Sequence, residues 1–152
     1  MLILQKKEWT DFVQQIYPTV AHPYAFELNK DFHFAAAHYI PCEDAGKCVR
    51  THGHTYFVNL TIVGDELDHS GFLINFAALK KQIHEQFDHY LLNDLPQFKD
   101  KMPSTEVVAQ TICQLTEEIL EKQPNRPKCA QVYLRETPSS YVVYRPKEFR
   151  HG

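Results

Sequence analysis

Apolar and polar positions alternate most cleanly between Thr55 and Ile62, where Tyr56, Val58, Leu60 and Ile62 take one side and Thr55, Phe57, Asn59 and Thr61 the other. A period of two held up to Gly64 predicts a strand with one buried face. Upstream, alternating aromatic and apolar residues from Ala25 to Tyr39 (Phe26, Leu28, Phe32, Phe34) predict a second strand, ended by Pro41. The polar stretch between them, Cys42 to Thr51 with Gly46, reads as a long loop. After a turn from Asp65 to Gly71 the period changes. Asn75 sits where an N-cap belongs, and Phe76, Leu79, Ile83 and Phe87 follow at three- to four-residue steps, predicting an amphipathic helix. A loop holding Pro96 and Pro103 leads to a second helix, capped by Ser104 or Thr105, with Val107, Val108, Ile112, Leu115, Ile119 and Leu120 on one stripe. Pro124 and Pro127 close it, and Cys129 to Pro146 reads as a hairpin turning at Pro138-Ser139-Ser140.

The order β-β-α-α-β-β predicts an α+β fold, a four-stranded antiparallel sheet with two helices on one face. Residues 24–152 form its single domain. Residues 1–23 read as an N-terminal extension, in which Trp9, Phe12, Val13 and Ile16 predict a short amphipathic helix stopped by Pro18 and Pro23. A sheet covered on one face only leaves two edges and a surface open, so self-association is expected.

Composition narrows the classes of partner. The 152 residues are 43% hydrophobic and 23% charged, an ordinary globular balance, with a formal net charge of -3. That charge argues against a nucleic-acid or membrane-surface module. No apolar run approaches the roughly 20 residues that cross a bilayer, and Met1 to Leu4 is followed too soon by Lys6 and Lys7 to be a leader, so a cytoplasmic protein is expected. In that compartment Cys42, Cys48, Cys113 and Cys129 are expected as thiols, ligands or catalytic groups. Nine histidines stand out from this background.

The sharpest motif is His52-Gly53-His54 at the start of a predicted strand. Residues two apart on a strand share a face, and a hairpin would bring His38, at the end of the preceding strand, beside them. Three imidazoles with a free fourth position describe a catalytic zinc site. Two alternatives stay open: unrelated core or surface histidines, and a closed structural site made by Cys42, Cys48, His52 and His54, although five residues between the cysteines exceed the usual two to four. Gly53 would let the backbone pass close to an ion. Cys48 is a candidate base beside a metal, and Asp88-His89 a candidate proton relay, against plain loop and surface roles. The carboxylates of Glu136 and of Glu106, in Thr105-Glu106 at the start of the second helix, can grip a guanidine-like heterocycle edge, although spacing alone favours exposed or capping roles. His22, His33, His69, His84 and His151 read as solvated or structural. No glycine-rich phosphate cradle occurs.

The ordered motifs Phe34-Ala-Ala-Ala-His38, Cys48-Val-Arg-Thr-His52-Gly-His54, Phe87-Asp88-His89, Pro103-Ser-Thr-Glu106 and Arg135-Glu136-Thr137 resemble the 6-pyruvoyltetrahydropterin synthase family from about Ala25 to Arg145. Three residues between Cys48 and the His-Gly-His motif resemble its bacterial carboxy-forming branch, and a cysteine there argues against the hydroxymethyl-forming branch, which carries glutamate. The resemblance implies zinc on His38, His52 and His54, Cys48 as proton acceptor activated by Asp88 and His89, and Glu136 as pterin anchor, with Thr105 and Glu106 as further contacts. It implies conversion of 7,8-dihydroneopterin triphosphate to 6-carboxytetrahydropterin, acetaldehyde and triphosphate on the route to queuosine; the alternative is the pyruvoyl product without acetaldehyde. It also implies the tunnelling fold (T-fold) and a homo-oligomer, a hexamer of two trimers, with sites between subunits. Lys30, Lys47 and Arg50 are candidates for holding the triphosphate. A noncatalytic zinc-stabilised binding protein is the rival from another class.

Overall fold

The computed structural model describes residues 16–150. The helix predicted around Trp9, Phe12 and Val13 lies outside them. Strand β1 (Phe26–His38) pairs antiparallel with β2 (His52–Gly64) along its whole length, from Phe26 opposite Gly64 to His38 opposite His52. Helix α1 (Phe76–Phe87), the two-residue β3 (Tyr90–Leu91), helix α2 (Thr105–Leu120), β4 (Lys128–Thr137) and β5 (Ser140–Tyr144) follow. Asn75 caps α1, its side chain accepting from the Ala78 N–H at 3.1 Å, as the spacing predicted. Ser104 settles the alternative at α2, its Oγ accepting from Val107 N–H at 3.3 Å.

The sheet has five strands in the order β3-β1-β2-β4-β5 and is mixed, which corrects the four-stranded antiparallel expectation. β3 runs parallel to β1, with Ala36 opposite Tyr90 and Ala37 opposite Leu91. Two residues cannot display a period, so no alternation announces this strand. It exists because the chain leaving α1 turns at His89, whose φ of 64° is left-handed, and is then pinned to β1 by the His89 N–H bond to the Ala35 carbonyl at 2.6 Å. The loop expected between β1 and β2 contains a kinked 3-10 segment, Glu43–Val49, with no buried residue.

Antiparallel partners share a face, so β1 and β2 turn Phe32, Phe34, Tyr56, Val58, Leu60 and Ile62 together toward the helices. There they meet Leu79, Ile83 and Phe87 of α1 and Val108, Ile112 and Leu120 of α2, all buried. Each such side chain is worth about 2–5 kcal/mol against truncation to alanine. Val107, Leu115 and Ile119, placed on the same stripe by sequence, flank this core half-buried. A register shift opposite Thr61 and Ile62 lets Cys129 join the core with Val132 and Leu134, while Ala130 turns to the opposite face with Val20, Val63 and Phe149.

That opposite face is polar at its middle. Asn59 Nδ2 donates to Asp31 at 2.9 Å, Thr61 to Asn29 at 2.9 Å, and the fully buried Gln131 to the Pro18 carbonyl at 2.9 Å. The segment before β1 lies over this face: Tyr17 packs edge-on against Tyr133 with ring centres 4.9 Å apart and donates to Asp31. Among the described residues no helix is long and apolar enough to cross a membrane.

Candidate active site

The pairing that builds the core also builds the site. His38 faces His52 across the hairpin, and His54 faces Ala36 two residues on, so all three imidazoles extend the core face beyond Phe34 and Tyr56. Their ring centres form a near-regular triangle, 4.5 Å from His38 to His52, 5.1 Å from His38 to His54 and 4.8 Å from His52 to His54. Glu136, at the end of β4, brings its Oε1 to 3.2 Å from both His38 Nε2 and His54 Nε2. One ligand atom from each of the four lies within 4.8 Å of the others, a group that could hold a metal ion.

Hydrogen bonding fits these residues to a cation. His38 Nδ1–H donates to the Pro103 carbonyl at 2.7 Å, and His52 Nδ1–H donates to the Arg50 carbonyl at 2.7 Å. A carbonyl only accepts, so each ring carries its proton on Nδ1 and presents a lone pair at Nε2. Those two Nε2 atoms stand 2.9 Å apart, and among the described residues the buried His54 Nε2 has no hydrogen-bond partner. Lone pairs converging at that distance repel unless a proton or a metal ion lies among them. Burial holds the His54 ring below the ordinary histidine range against the opposing pull of Glu136, which favours the neutral ligand form.

The other predicted residues fall around this centre in different ways. Cys42 and Cys48 stand outside the ligand group, so the closed two-cysteine, two-histidine site does not form among the described residues. Cys48 is an exposed free thiol in the Glu43–Val49 segment, which is tied to the end of β1 by the Ile40 N–H bond to the Cys48 carbonyl at 2.7 Å. Asp88 and His89 are joined: His89 Nδ1–H donates to Asp88 Oδ2 at 2.7 Å, while Asp88 Oδ1 accepts the Ala35 N–H at 2.9 Å. The Ala35 N–H holds the Asp88 carboxyl below its usual range, with His89 adding to the effect. The His89 side chain is 82% exposed and borders a cleft of about 550 Å³ whose other wall includes His54 and Tyr90. Thr105 is buried and Glu106 exposed at the start of α2, separated from Pro103 by the capping Ser104. Lys30 lies over the Phe76 ring at 5.6 Å, and Arg50 reaches the site through its backbone carbonyl.

Sequence reasoning passed over three contributors. Tyr56 follows His54 by two positions and so shares its face, a signal that was available; its hydroxyl reaches His38 Nδ1 at 3.3 Å. The Pro103 and Arg50 carbonyls carry no side-chain signal at all. At Gly53 a Cβ would lie 3.7 Å from the Ala36 oxygen, an ordinary contact, so no close approach within the described chain requires glycine there.

A mixed sheet backed by two helices, ending in three imidazoles and a carboxylate beside a cleft, defines an α+β protein equipped to hold a metal ion next to a small molecule. The model of the family described as 6-pyruvoyl tetrahydropterin synthase matches residues 27–147, and the chain belongs to that family. It is 56% identical over 140 residues to the 6-carboxy-5,6,7,8-tetrahydropterin synthase of Bacillus subtilis (strain 168), covering 90% of this chain and 96% of the relative. It is 35% identical over 107 residues to the 6-pyruvoyl tetrahydrobiopterin synthase of Pongo abelii, covering 66% and 71%. Among solved structures, the Caenorhabditis elegans 6-pyruvoyl tetrahydropterin synthase superposes with a TM-score of 0.67 at 26% identity, covering 80% of this chain and 96% of that one.

Proposed function

We propose that this enzyme converts 7,8-dihydroneopterin triphosphate and one water to 6-carboxy-5,6,7,8-tetrahydropterin, acetaldehyde and triphosphate, in the cytoplasm, on the route to 7-deazaguanine and queuosine. The observation that carries the proposal is the 56% identity to the Bacillus subtilis 6-carboxy-5,6,7,8-tetrahydropterin synthase over 90% of the chain. The convergent lone pairs of His38, His52 and His54 support zinc as the metal, since neutral imidazoles in a three-ligand set suit a catalytic zinc with an open position. Zinc held there supplies Lewis acidity to the hydroxyls of the substrate side chain and so acidifies the adjoining C–H bonds.

The remaining work belongs to the chain. Glu136 fixes the heterocycle edge by accepting its N–H donors, with Thr105 and Glu106 as further contacts, and so delivers the side chain to the metal end of the sheet. In the structure the Glu136 carboxylate leans on His38 and His54. Substrate binding therefore draws it off the imidazoles. Cys48 takes the proton from the acidified carbon as a thiolate, and Asp88 holds His89 Nδ1, leaving Nε2 of this cleft-lining residue to relay that proton. The exposure of His89 and Cys48 supports a homo-oligomer in which relay and thiol meet across subunits, and the proposed assembly is a hexamer of two trimers in the T-fold manner. Lys30, Lys47 and Arg50 are the proposed cationic contacts for triphosphate.

Mass spectrometry of the products formed from 7,8-dihydroneopterin triphosphate tests the reading. Acetaldehyde with the 6-carboxy product is expected. A pyruvoyl product without acetaldehyde would assign the sister activity, and an unchanged substrate would assign a binding protein.

A further inference from the structure

The site rests on an aromatic stack that links it to the core. Phe34 and Tyr56 lie nearly parallel, 17° between planes with centres 4.9 Å apart, and both are fully buried. Above them the edge of Tyr56 meets His38 at 6.0 Å and 88° and His54 at 5.5 Å and 73°. One side chain therefore sets the tilt of two of the three imidazoles.

The Tyr56 hydroxyl adds a polar contact. A buried hydroxyl is costly unless bonded, and among the described residues its hydrogen-bond partner is His38 Nδ1, at 3.3 Å. That nitrogen already donates its single proton to the Pro103 carbonyl at 2.7 Å. The phenol oxygen is thus a second acceptor on a shared N–H. Two acceptors on Nδ1–H raise electron density at Nε2 and resist rotation of the ring about its Cβ bond. Among the described residues His52 has one such acceptor, the Arg50 carbonyl, and no ring contact to Tyr56.

We infer that Tyr56 is a positioning residue for the metal centre, holding His38 and His54 in ligating orientation through its ring and tuning His38 through its hydroxyl. The inference rests on the proposed assignment of His38, His52 and His54 as metal ligands.

Tyr56→Phe keeps the ring and removes the oxygen. The measurement is the rate at which a chromophoric chelator strips zinc from the loaded protein, together with the visible absorption of the cobalt-substituted form. Release about tenfold faster than wild type, with altered cobalt bands and an unchanged melting temperature of the metal-free protein, is expected. A release rate and cobalt spectrum equal to wild type would overturn the inference while leaving the ligand assignment standing. A wild-type protein that retains no metal fails the assignment itself, and this inference with it. Should the variant not fold, proton–nitrogen correlation spectra of the zinc-loaded wild type decide: an Nδ1–H resonance of His38 distinct from that of His52, which lacks the phenol contact, is expected, and two matching resonances would exclude the second acceptor.

Discussion

Two sets of histidines in this protein are held by different partners. His38 and His52 give their Nδ1 protons to backbone carbonyls, whereas His89 gives its proton to the Asp88 carboxylate. A carbonyl is neutral and fixed, so it locks a neutral ring with one lone pair aimed outward, the form that binds a metal. A carboxylate carries charge and accommodates the ring with or without a second proton, the form that moves protons. His38 and His89 differ in burial as well, their side chains being 3% and 82% exposed. The partner of the second nitrogen thus separates the proposed metal ligands from the proposed proton relay before any ligand is considered.

The strongest test of this contrast is His52→Ala. Metal content measured by elemental analysis should fall from about one ion per chain to near zero, with turnover lost. Retention of the ion would end the three-imidazole assignment. Next comes Cys48→Ala, which should leave the fold and the metal in place while slowing turnover by about 10²–10⁴, the usual worth of a positioned general base. Asp88→Asn should act more mildly, since the amide oxygen can still accept from Ala35 but its nitrogen cannot accept from His89. Its effect on stability has a defined sign. The native Asp88 carboxyl lies below its usual range, so its contribution is present above the unfolded value near 3.8 and is lost as pH falls through the lower native value. The difference in melting temperature between wild type and Asp88→Asn should therefore be constant from neutrality down to about pH 4 and close below it. The smallest effect belongs to His84→Ala. Its Nε2 is 3.6 Å from Asp88 Oδ2, a weaker contact than those of Ala35 and His89, and thermal melts should show no resolvable change.

What could be read from sequence had a repeating physical cause. The alternation from Thr55 to Ile62 and the stripes of both helices reflect one-sided burial, and His38, His52 and His54 share a face because the hairpin continues that same period. What escaped depended on single backbone events. β3 hangs on one left-handed residue and a pair of bridges, and the tautomers hang on carbonyls of Pro103 and Arg50, whose side chains say nothing about them. Glu136 was visible as a site residue, but its approach to His38 and His54 depends on where β4 ends relative to β2, a register that carries a shift at Thr61 and Ile62.

His89 shows what this arrangement forgoes. A side chain at a φ of 64° is held in a conformation that costs most residues roughly 1 kcal/mol and glycine almost nothing. A chain selected for durability alone would place glycine at this bend, which ends a helix and starts a strand. If His89 is the proton relay proposed above, keeping an imidazole there trades resilience for chemistry, and position 89 becomes one where a search for hardier variants and a search for faster ones would pull in opposite directions.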